Sequence, residues 1–173
     1  MGAWVPSFDE AWRRPGATPA QLRELEASIS APLSAEELGR LDRDRTALPS
    51  DPRGWCLPSG PLPRSYLDLL AWSNGGEFLS GERRFQFLST AELRTEMLSY
   101  RVPAHMPGML PIGLNGSGTL YFLDIDCQIG GEAPVLAASA SDLGTDPDQC
   151  WQIAASLPDA CAGTIGVDDL RQA

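Results

Sequence analysis

A chain of 173 residues with 43% hydrophobic content suits one domain and is long enough to bury a core of its own. Thirteen arginines, no lysine and twenty-three acids give a formal net charge of −10, a field that repels nucleic-acid phosphates and anionic membranes and draws in basic partners. No apolar run approaches the roughly 18–20 residues of a spanning helix. The opening Met1-Gly-Ala-Trp-Val-Pro lacks the basic and apolar regions of a secretory signal, so the chain is expected to stay in the cytoplasm.

The charge is uneven along the chain. Residues 119–173 hold eight Asp, one Glu and one Arg, whereas residues 1–118 hold twelve Arg against fourteen acids. Such an acidic tail either steers a basic partner or keeps the protein soluble. Cys56, Cys127, Cys150 and Cys161 form no C-x-x-C pair, and one histidine cannot build a His-rich metal site. Free, mostly buried thiols and no cofactor or metal are therefore expected.

Residues 1–17 read as an N-terminal arm in which Trp4, Phe8 and Trp12 recur every four residues, an apolar helical stripe that packs on the domain or on a partner. Thr18-Pro19-Ala20-Gln21 is a capping box with Pro at the first helical position, followed by Leu22, Leu25 and Ile29 at helical spacing. Ser34-Ala35-Glu36-Glu37 repeats the device ahead of Leu38 and Leu41. Five prolines then fall within residues 46–63, where no regular element is expected, only a long loop wrapping the surface.

Pro63 opens the clearest helix, with Tyr66, Leu69, Leu70 and Ser73 on one face and Asn74-Gly75-Gly76 at its stop. Glu77–Leu79 and Arg84–Phe87 read as strands joined by Ser80-Gly81-Glu82. Ser89-Thr90-Ala91-Glu92 opens a further helix carrying Leu93, Met97 and Leu98. Two apolar runs, Met109–Leu114 and Thr119–Asp124, flank Asn115-Gly116, the strongest short-range hairpin signal. Leu120–Leu123 is continuously apolar, as in a strand covered on both faces. Pro134–Ala137 is another strand candidate.

In this order the signals resemble the SUKH superfamily, which includes fungal cell-wall-synthesis regulators and bacterial immunity proteins. The resemblance is carried by Leu62-Pro63-Arg64-Ser65-Tyr66, Ser73-Asn74-Gly75-Gly76-Glu77-Phe78, Leu110-Pro111-Ile112-Gly113, Asn115 through Asp124, Pro134-Val135 and Ile153 through Leu157. It implies an α+β fold, with helices packed against a mostly antiparallel β-sheet in a single compact domain spanning residues 1–173. Residues 46–63 stand as an insertion, and Leu157-Pro158 replaces the aromatic usual after the closing Ser. Asp146-Pro147-Asp148-Gln149 reads locally as a cap for a helix through Leu157. The resemblance implies instead a strand at 150–154 and a short helix from Ser156, and Ser156-Leu157-Pro158-Asp159 is itself a plausible cap.

The resemblance also implies action by binding protein and not by catalysis. The leading expectation is an immunity protein that neutralises a cognate, basic bacterial toxin domain. The alternatives are a regulatory adaptor linked to cell-envelope synthesis, and a small hydrolase or metal-dependent enzyme. That last reading would use Asp124 and Asp126, whose carboxylates leave a strand end on one face by alternation and could hold a cation or share a proton. The blander reading is that Asp124 ends the strand and orders the next turn. Gly113-x-x-Gly116-x-Gly118 lacks the Lys-Ser/Thr and following helix of a phosphate loop. His105, in a proline-flanked loop, has no nucleophile elbow to serve. The candidate partner-binding set is Asp124, Asp126, Asp142, Asp146 and Asp148, with Trp151 as an aromatic anchor.

Overall fold

The computed structural model describes residues 3–43, 48–143 and 149–171. Seven strands among them pair strictly in chain order, each antiparallel to the next: β1 (Glu10–Arg13), β2 (Gly76–Ser80), β3 (Arg83–Phe87), β4 (Met109–Leu114), β5 (Thr119–Asp124), β6 (Val135–Ser139) and β7 (Cys150–Ala154). The helices are α1 (Pro19–Ile29), α2 (Ala35–Arg43), α3 (Arg64–Trp72), α4 (Leu93–Ser99), α5 (Val102–His105), α6 (Leu157–Ala162) and α7 (Val167–Leu170). They form one α+β domain.

The predicted caps are present. Thr18 and Gln21 close a reciprocal capping box on α1, and Ser34 and Glu37 exchange hydrogen bonds at 2.8 and 3.1 Å on α2. Before α4, Glu92 accepts the Ser89 N–H at 2.8 Å, and that backbone bond holds its carboxyl below the usual range. Gly75 and Gly76 adopt φ of +84° and +123° in the turn from α3 into β2, a region that a side chain would strain. Ser73 Oγ donates across that turn to the Gly75 carbonyl at 2.7 Å.

Burial explains which strands sit inside. Residues 119–123 of β5 are buried on both faces, as the unbroken apolar run requires. Pro111, which has no N–H to give, is accommodated by a register shift against β5 between Pro111 and Gly113. Phe78, Phe85, Phe87 and Tyr121 form a chain of ring contacts at 5.0–5.7 Å between centroids, and Phe8 caps it at 4.8 Å from Phe78. The Ser156-capped α6 and the strand before it follow the family pattern, not a helix running from Asp146 to Leu157.

Four local expectations are corrected. The N-terminal aromatics do not line a helix: Phe8 packs half-buried against the core, Trp4 is half-buried with its backbone N–H on Asp68 Oδ2 at 2.9 Å, and Trp12 stands exposed on β1. The Pro-rich segment holds a one-turn 3-10 helix at Pro52–Gly54, since Pro52 occupies the first helical position and Asp51 caps it. His105 closes α5 and does not sit in a loop; burial, then Arg101, lowers its pKa. The thiols are free but not mostly buried: Cys56 and Cys127 are exposed, Cys150 is intermediate and only Cys161 is buried.

The C-terminal segment is tied down by two polar anchors. Arg83 is 4% exposed and donates to the Ala160 carbonyl at 2.8 Å and the Ile165 carbonyl at 2.9 Å, its pKa pulled down by burial. Asp168 accepts from Thr119 Oγ1 at 2.7 Å, Asn115 Nδ2 at 2.9 Å and Ser117 Oγ at 3.2 Å. Together they fasten the segment after α6 beneath two turns of the sheet.

Candidate protein-interaction surface

The predicted acids divide between the two ends of β5, whose six residues span about 20 Å. Asp124 closes the strand and is half-buried. The chain then enters a one-turn 3-10 helix, Ile125–Cys127, in which Ile125 is buried and Asp126 exposed. Strand geometry stops at Asp124, so the period-two alternation behind the expected pairing of Asp124 with Asp126 does not run through this turn. The Asp126 carboxylate lies over Gly108, where a Cβ would stand 2.3 Å from Oδ2. A hydrogen bond to Asp124, then the charge of that residue, raises the Cys127 thiol pKa. Among the described residues, no group of three or more Cys, His, Asp or Glu converges as a metal site.

Asp142 lies at the opposite end, exposed in the turn after β6, where its carboxylate accepts from Ser141 Oγ at 3.1 Å. Three acids that sequence reasoning passed over are at this same end. Glu82 occupies the β2–β3 turn, and Asp168 and Asp169 lie on α7 beside the β4–β5 hairpin. Antiparallel pairing in chain order requires this arrangement, because the β2–β3 and β4–β5 turns and the exit from β6 all fall on one side of the sheet. The sequence signal was faint: Asp168 meets Asn115 and Thr119 from 53 and 49 residues away. Asp146 and Asp148 lie outside the described residues.

Trp151 sits on β7, half-buried against the core, with Arg171 5.3 Å from its ring centroid. Its indole N–H is sealed from solvent with no partner among the described residues. The ring is therefore part of the sheet's packing and presents only a fraction of itself outward. It does not share an end of β5 with Asp124 and Asp126, since β7 pairs Trp151 with Ala137 and through it with Tyr121.

The chain belongs to the SMI1 / KNR4 family (SUKH-1), whose model matches residues 59–162, from the lead-in to α3 through α6. Domains of this family act in protein interactions. No curated protein matches the chain. No helix among the described residues is long and apolar enough to cross a membrane.

Proposed function

We propose that the chain, residues 1–173 acting as one unit, is a non-enzymatic binding protein. Its partner is a toxin domain with a basic surface, which it occludes and thereby neutralises in the cytoplasm of a bacterial cell. The observation that carries this reading is the nine acids against one arginine in residues 119–173, on a scaffold of a protein-binding family. Opposite charge speeds encounter and rejects wrong partners, whereas nucleic acid and anionic membrane meet the same field as repulsion. Glu82, Asp142, Asp168 and Asp169 at one end of the sheet, with Asp146 and Asp148 close to Asp142 in sequence, are the residues assigned to the interaction.

The test is capture of the partner from source cells with the full chain as bait, followed by an assay of the captured protein with and without the chain. A basic protein whose activity the chain abolishes at one-to-one stoichiometry is the expected result. Capture of a cell-envelope synthesis enzyme whose activity is modulated and not abolished would transfer the protein to the regulatory adaptors. An acidic partner would overturn the reading altogether.

A further inference from the structure

The edge strand β1 has an unusual make-up for an unpaired edge. All four of its residues are exposed, and Trp12 keeps 57% of its surface in solvent. The free N–H and C=O groups of an edge template another strand, and here only shortness and the charges of Glu10 and Arg13 stand against that. On its inner side β1 pairs with β2, Trp12 opposite Glu77. Two contacts fix which backbone groups point inward. The Arg14 N–H donates to Ser73 Oγ at 3.0 Å, and the Trp12 carbonyl packs so close to Gly76 that a Cβ there would stand 2.6 Å away. Alternation therefore turns the N–H and C=O of Ala11 and Arg13 outward.

The outer charges of this edge, Glu10 and Arg14, are opposite in sign. Reading Glu10-Ala11-Trp12-Arg13-Arg14 forward and backward about Trp12 places Glu10 against Arg14 and Ala11 against Arg13. Trp12 and Arg14 line one shallow depression with Glu77 and Arg84, so they share a face of the sheet. Arg14 is 55% exposed and its one ion pair, to Glu92, is long at 3.5 Å; exposed Glu10 makes none among the described residues.

From these observations we infer that β1 pairs antiparallel with β1 of a second copy of this chain, across a two-fold axis through Trp12, joining two seven-stranded sheets into one. In that register Ala11 and the second copy's Arg13 exchange the outward hydrogen bonds. The two Trp12 rings meet as a pair without direct hydrogen bonds, the closer of the two spacings in an antiparallel ladder. Each Glu10 faces the second copy's Arg14, giving two ion pairs on either side of the rings. Small Ala11 opposite Arg13 leaves that guanidinium on the Trp72 ring, 4.0 Å from its centroid. A register centred on Ala11 would set Arg13 against Asp9, whose N–H is already given to the Leu79 carbonyl at 2.8 Å, would set Trp12 against Glu10 and would leave Arg14 without its acid. Asp9, Glu10, Arg13 and Arg14 sum to zero charge, so this corner escapes the self-repulsion of a chain at −10. Such an isologous contact is closed and leaves β7 and the acidic turns uncovered.

Sedimentation equilibrium of the full chain tests this, at 150 mM salt where long-range repulsion is screened beyond about 8 Å. Between about 1 μM and about 1 mM the apparent mass should climb from 18.6 kDa towards twice that value. Glu10→Arg and Arg14→Glu each set like charges face to face and should weaken association at least tenfold, with thermal melting of the monomer unchanged. Mixed in equal amounts, the two variants should associate as strongly as the parent, because each heterodimer regains both ion pairs. Ala11→Pro, which deletes an outward N–H and no inward one, should also stay monomeric. A parent chain that stays at 18.6 kDa throughout overturns the inference, as does a mixture no better than its separate components.

Discussion

Tyr66 and Asp168 stand at opposite extremes of hydrogen bonding. The Tyr66 ring lies wholly inside the core, burial raises its pKa, and its hydroxyl finds no partner among the described residues. A sealed, unpaired hydroxyl forfeits its hydration with no return. Tyr66→Phe should therefore stabilise the protein by about 1 kcal/mol, raising the thermal midpoint by about 2–4 °C. A lowered midpoint would mean the hydroxyl is satisfied in solution. Asp168 holds three donors of the β4–β5 hairpin with one carboxylate. Asp168→Ala should cost about 1–3 kcal/mol in chemical denaturation and speed amide exchange through residues 115–119, with β2 and β3 unaffected. Neither effect could be read from sequence. Asp168 is one acid of an acidic tail until Asn115 and Thr119 are folded against it, and Tyr66 gives no hint that its oxygen points nowhere useful.

Elements were legible where local chemistry alone decides them. Caps at Thr18 and Ser34, the turn at Asn115 and the apolar run of β5 all depend on neighbours within a few residues. β1 was illegible because it carries no buried face. Its four exposed residues become a strand only by joining β2, far along the chain, while the four-residue recurrence of aromatics imitated a helix. α2 is the mirror case, a well-capped helix with no fully buried residue. Arg53 holds its Asp42 at 2.9 Å, and Arg94 on α4 grips Glu37 through two bonds of 2.6 and 2.8 Å while donating to the Ala31 and Pro32 carbonyls. That hydrogen bond above all holds the Glu37 carboxyl at about 2 against an ordinary 4.5. A depressed folded pKa contributes stability that is complete above pH 4.5 and lost as pH falls towards 2. Allowing for solvent screening, about 1–2 kcal/mol should vanish over that window. Amide exchange in α2 should rise first, and Arg94→Lys, which cannot bind bidentately, should remove most of the pH dependence. An α2 equally protected at pH 3 and pH 6 would contradict this.

At the scale of the molecule, the proposed encounter with a basic partner turns on charge. With −10 overall and the acids of residues 119–173 partly gathered on one set of turns, capture of a basic protein should be limited by encounter. Stopped-flow association should slow roughly tenfold or more between about 20 and 150 mM salt, with dissociation nearly constant. Neutralising Asp142, Asp146 and Asp148 together should flatten that dependence. Rates indifferent to salt would reduce the acids to a device for solubility. The strand order has a further consequence, for the way the protein is made. From β2 onward every strand docks on the one synthesised just before it, so the sheet can grow at the mouth of the ribosome without waiting for distant sequence. Two components must wait. β1 emerges well before the β2 it pairs with, and α7 emerges after β7 and must reach back to a hairpin already formed. A nascent chain arrested just after β7 would hold its meander with Arg83 and Thr119 still missing their C-terminal partners, and release of the final segment would be the step that closes the fold.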